Sequence, residues 1–159
     1  MIGFVVAMLL LVAPQQSGAT QVSVAQKQEF LRVLKTLPHK SEFFTDEAIK
    51  AAGPYLPVLF ALTDKDIEGY DIYPFAALSR GLCDVKEHRN YATTHFGDIQ
   101  NSQLKLFWAA MLFDENPSRE VVLFLKGALK SEAQAKLLAE ITGPNFAAFK
   151  GRVEAAPKN

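Results

Sequence analysis

The chain has 159 residues, 49% of them hydrophobic and 21% charged, which is one domain's worth of ordinary globular composition and excludes a disordered chain, a collagen-like repeat and a polytopic membrane protein. Lys and Arg number 17 and so do Asp and Glu, so the formal charge is zero, which argues against a protein whose task is gripping nucleic acid or an anionic membrane. The single cysteine, Cys83, allows no intramolecular disulfide, so the core must hold the fold unaided.

In chain order, residues 1–19 read as a signal peptide. Ile2 to Ala13 form an apolar run too short to span a bilayer, Pro14 breaks it, and Ser17-Gly18-Ala19 fits a signal-peptidase site with cleavage near Ala19. No Lys or Arg precedes the run. The alternative is a buried first helix, which would need cover on all sides because the run has no polar face. The expectation is therefore export to a periplasm or to the outside, with no stable membrane insertion of the mature chain. Residues 20–151 read as a single helical domain, and 152–159 as a flexible tail.

Val24 to Leu37 carries Phe30, Leu31, Leu34 and Leu37 at helical spacing, stopped by Pro38. Thr45-Asp46-Glu47 is a capping hydroxyl followed by acids that suit a helix N-terminus. The helix it opens must kink or split at Pro54 and Pro57. After a polar loop, Asp64 to Asp71, Pro74 suits the first turn of a helix that holds Phe75, Leu78 and Leu82. Val85 to Ile99 reads as the next helix, and Asn101 or Ser102 caps the one carrying Leu104, Phe107, Trp108, Met111 and Leu112. Asn116-Pro117 marks a stop and restart before Ser118 to Lys130, Ser131 caps the following helix, and Gly143-Pro144 ends it. Phe146 to Val153 closes the series. The fold class is all-α, with about eight short, antiparallel-paired helices and no hairpin signal.

The second members of successive helix pairs begin near residues 73, 102 and 132, a period of about 30 residues. With a proline in the first helix (Pro54, Pro57), the Asn116-Pro117 restart, and Phe75-Ala76-Ala77-Leu78 and Ala135-Lys136-Leu137-Leu138 in the second helices, Thr45 to Thr142 resembles a HEAT-like α-solenoid. An irregular helical bundle would carry the same leucines and caps, so both architectures stay open. The resemblance implies a protein-binding or scaffolding role with no chemistry of its own.

Two constellations are candidates for chemistry. Asp64, Asp66, Glu68 and Asp71, with Gly69 at the sixth position, reproduce the first half of a calcium loop, but Phe75 stands where the bidentate Glu belongs. The competing reading is a solvated loop whose Asp71 caps the helix at Pro74. Asp84, His88, Tyr91, His95 and Asp98 are spaced by 4, 3, 4 and 3 and would line one face of a continuous helix. His88 and His95 would then lie about 10 Å apart along the axis, too far to share one metal. They suit a polar flank or a small acid–base site. Glu42, Glu68 and Glu87 would serve as acids only in a cleft that raises their pKa. Cys83, beside an acid at a helix end, reads as an inert core thiol. Tyr70, Tyr73 and Tyr91 are candidate interface anchors.

The expected function is an exported, non-catalytic protein-binding module: an inhibitor, an immunity-type partner or an envelope-assembly subunit. The alternatives are a small hydrolase using the Asp84/His88/Tyr91/His95 face, or a module binding calcium or a small ligand at Asp64–Asp71.

Overall fold

A computed structural model describes residues 21–40, 43–115 and 117–157. The segment read as a signal peptide and its cleavage site lie outside the described residues, as do Glu42 and Asn116. The protein is all-α, 75% helical with 2% strand. In order, α1 is Val24–Leu34, a hairpin pairs β1 (His39–Lys40) with β2 (Phe43–Phe44), and α2 (Asp46–Ala52) leads through a 3-10 turn at Gly53–Tyr55 into α3 (Leu56–Ala61). Then come α4 (Tyr73–Asp84), α5 (Lys86–Thr94), α6 (Ser102–Glu115), α7 (Arg119–Ala128), α8 (Glu132–Thr142) and α9 (Phe146–Ala155).

Local chemistry sets these boundaries. Ser23 and Gln26 form a reciprocal capping box at α1, and the Thr45 hydroxyl accepts from Ala48 N at α2. Pro54 and Pro57 split α2 from α3, as their missing N–H groups require. Asp71 accepts from Tyr73 N at 3.0 Å, an Asx turn that leads into α4, whose N-cap position is Ile72 and not Asp71 as expected. The buried Asn101 accepts from Leu104 N at 2.9 Å and caps α6. Gly143, at φ +57°, ends α8 in a conformation that side chains resist.

Several details differ from the sequence expectation, and one is that the helix expected to run to Ile99 ends at Thr94, leaving His95 and Asp98 outside it. The hairpin at 39–44 is two residues deep on each side and carries no periodicity to read. Val85 is extended, at ψ 120°, so Asp84 ends α4 and does not share a helix with His88. Ser118 caps α7 by accepting from Val121 N at 3.3 Å, in place of the expected Asn-Pro start. The expected flexible tail is corrected at its start: α9 runs to Ala155, Val153 is fully buried, Arg152 pairs with Asp114 at 2.7 Å, and Lys126 donates to the carbonyls of Glu154 and Ala156.

One connected core runs from Phe30 to Val153. Its centre is α6, which packs against α4, α7 and α8 and buries residues on every side, among them Leu104, Trp108, Ala109 and Leu112. Trp108 is fully buried, with the Phe60 ring edge-on at 5.3 Å. The helices beginning at Tyr73, Ser102 and Glu132 stack in series, α4 on α6 and α6 on α8, while α7 packs on α6 and α9. This arrangement is compatible with a helical-repeat fold.

Candidate functional site

The face of α4 opposite the core carries the most distinctive surface. Phe75, Leu78 and Leu82 point inward and are buried. Tyr73, Ala77, Arg80 and Asp84, spaced by 4, 3 and 4, form the opposite face and stay wholly or partly exposed. Strand β2 packs along α4 and raises Phe43 and Phe44 as one wall. The result is a trough of three adjoining cavities that all include Ala77: about 420 Å³ between α1 and α4, about 550 Å³ beside α2, and about 610 Å³ towards α6 and α9.

Around this trough stand three of the large hydrophobic side chains that the described structure leaves most exposed: Phe43 at 60%, Tyr73 at 51% and Tyr70 at 41%. Single exposed apolar residues are common, but here three aromatics stand on the rim of one trough. Tyr70 is held by an edge-on contact with Phe75 at 6.3 Å and by Lys35, whose Nζ stands 5.1 Å over the ring centroid. Gly81 belongs to the floor for a structural reason, since a Cβ there would overlap Ile49 of α2.

The candidate tyrosines divide. Tyr70 and Tyr73 come together at the cavity between α1 and α4, whereas Tyr91 is half-buried on α5 against Phe60. The Asp84/His88/Tyr91/His95 face divides as well. Asp84 and His88 both line the 550 Å³ cavity, but no hydrogen bond or ion pair joins them among the described residues. The His88 ring lies on Gly53, so close that a Cβ at that glycine would be 2.6 Å from Nε2. Tyr91 and His95 stack on each other at 4.1 Å, and His95 Nδ1 is 2.9 Å from Asp98 Oδ2. Burial, and then the Asp98 charge, push the Tyr91 hydroxyl above its ordinary value, away from the range useful for a base.

The acidic loop serves the fold. Asp64 Oδ1 accepts from Asn101 Nδ2 at 2.7 Å and from Ser102 N at 2.9 Å, tying the loop to the start of α6. Asp66 Oδ2 accepts from Lys27 at 2.7 Å and from Thr63 N at 2.8 Å, tying it to α1. Gly69 takes φ +81°, the turn its position suggests. Asp64, Asp66, Glu68 and Asp71 are not brought into one cluster, and no three His, Cys, Asp or Glu side chains gather at metal-binding distance among the described residues. Cys83 is buried, and burial pushes its thiol up to about 11, with Asp84 and Glu115 adding to the rise against Arg89.

Sequence reasoning did not single out Arg80 or Lys35. The signal for Arg80 was the position opposite Phe75, Leu78 and Leu82 on the α4 wheel. Lys35 had none, because only the packing of α1 on its neighbours brings it beside Tyr70. Comparison with known proteins adds no relative: no family model, no curated protein and no solved structure matches the chain.

Proposed function

We propose that the chain is an exported, non-catalytic protein-binding module whose docking surface is the trough along α4. The observation that carries this reading is the grouping of exposed Phe43, Tyr70 and Tyr73 around three continuous cavities. Aromatic side chains bury large area at low entropic cost and are enriched at protein interfaces. The serial stacking of α4, α6 and α8, with starts at Tyr73, Ser102 and Glu132, supports a HEAT-like architecture, in which such a surface is a usual place for a partner. Export rests on the apolar run Ile2 to Ala13 and the small residues 17–19. Among the described residues no helix is long and apolar enough to cross a membrane.

The test is co-purification from the host's exported fraction with the full chain as bait. The expected result is one dominant stoichiometric partner, lost in a Phe43→Ala/Tyr73→Ala variant whose melting temperature is unchanged. Mass spectrometry of the same material should find an N-terminus at Thr20. A second reading, a small hydrolase, rests on Asp84 and His88, which share a cavity. It is favoured if no partner is found and His88→Ala removes a hydrolytic activity of the wild type.

A further inference from the structure

Helix α1 is held to the molecule mainly on one side. It buries two side chains, Phe30 and Leu34, and lies chiefly on α3, where the Phe30 and Tyr55 ring centroids are 5.8 Å apart. Its other side, with Leu31 and Leu34, faces α4 across the cavity of about 420 Å³, and such a gap leaves the side chains that line it short of partner atoms. The polar bonds of the helix are mostly its own: Ser23 with Gln26 at its start, and Arg32 with Glu29. Among the described residues one ion pair joins it to another part of the chain, Lys27 Nζ to Asp66 Oδ2 at 2.7 Å. Lys35, just past its end, rests on the Tyr70 ring. The segment that follows is pinned independently of α1. Thr45 N donates to Pro38 O at 3.2 Å, β1 pairs with β2, and β2 packs along α4.

We infer that α1 is a strap: it swings away as one unit about the link from Lys35 to Pro38, while the hairpin and α2–α9 stay folded, and so removes one wall of the apolar cavity beside it. The inference does not rest on the protein-binding reading above. Opening of this local kind belongs to elements that few buried apolar contacts anchor. The contrast is α6, which buries seven side chains spread around the helix and cannot leave without dissolving the core. Opening bares Phe30 and Leu34 on the strap and, on the body, the Tyr55 ring and the cavity lining at Phe75. That apolar exposure keeps the closed form dominant. In the closed form the cavity admits a group no larger than its own volume, and in the open form that limit is gone.

The experiment is native-state hydrogen exchange of the full chain, read amide by amide by NMR in water and in low urea. The expected result is one common exchange free energy for the amides of Lys27 to Lys35, with exchange roughly tenfold or more faster than in the buried turns of α6 and a shallow urea dependence that they share. Val153→Ala lies on α9, which packs on α7 and α8. It should speed the α6 amides severalfold and leave the α1 amides unchanged, because the open form keeps position 153 packed. Equal protection of α1 and α6 in the wild type would overturn the inference, since the chain would then open only as a whole. Equal acceleration of both by Val153→Ala would overturn it for the same reason. Protection that rises gradually from Lys27 to Lys35 would overturn it by showing fraying from one end in place of a hinge. Exchange of the Thr45 amide together with α1 would overturn it too, because the hairpin would then open with the helix.

Discussion

Asp66 shows how a residue that looks chemical serves the fold. Burial pushes its carboxyl up, but the bonds from Lys27 and Thr63 outweigh this and leave its pKa below the ordinary value. A depressed pKa means that the folded chain favours the ionised form. The stabilisation is therefore complete above the unfolded value near 4 and is lost as pH falls through the lower folded value. Asp66→Asn is expected to cost about 1–2 kcal/mol at pH 7, with the gap to wild type closing below about pH 4. Urea denaturation of both proteins across that range checks it, and a gap that widened in acid would contradict the assignment. The alternation of acids and the glycine turn were legible in the sequence. What was not legible was that Asp64 and Asp66 answer to Ser102 and Lys27, 38 and 39 residues away, because nothing local to the loop names those partners.

At the scale of the elements, cap chemistry located most helices. Thr45 and Asn101 each occupy the capping place their side chains suggest, while Asp71 sits one residue ahead of the cap position of α4 and forms an Asx turn. Several boundaries were misplaced: the helix expected to reach Ile99 ends at Thr94 and the one expected to reach Leu37 ends at Leu34. Ser118 does the capping expected of the Asn116-Pro117 restart, and Val85, an apolar residue on a helical stripe, takes an extended conformation that divides α4 from α5. Periodicity cannot report such a break, because the break costs one residue and leaves the stripe on either side in phase. It separated Asp84 from its expected helical neighbours, although Asp84 and His88 still line one cavity. Ser118→Ala is expected to destabilise the protein by about 1 kcal/mol, against a smaller loss for Glu132→Gln, whose carboxylate makes no side-chain cap bond at the start of α8. Thermal melts of the two variants distinguish a side-chain cap at α7 from a restart fixed by Pro117 alone. The trough was partly legible at this scale: the wheel that sends Phe75, Leu78 and Leu82 inward also sets Tyr73, Ala77 and Arg80 on the other face. The wall formed by Phe43 and Phe44 was not, because it depends on a hairpin too short to leave a pattern.

For the whole molecule, the all-α class and the spacing of the second helices followed from hydrophobic period and capping alone, since both are local signals repeated along the chain. Which helix would lie at the centre was not given by spacing. The structure answers it through α6, which is apolar on every side and touches α4, α7 and α8. Trp108→Ala, which empties the middle of that core, is expected to cost about 3–5 kcal/mol and to lower a single cooperative transition as a unit. Two separate transitions would instead divide the chain into independent halves. The central claim is that the α4 trough is where a partner binds. The most direct measurement places a photoreactive side chain at Ala77, where the three cavities meet, and another at Leu123, which is apolar and 43% exposed away from the trough, and irradiates both proteins in the native host. A single stoichiometric protein adduct from position 77 and none from position 123 is the result this account requires. The same adducts from both positions, or an adduct from 123 alone, would contradict it.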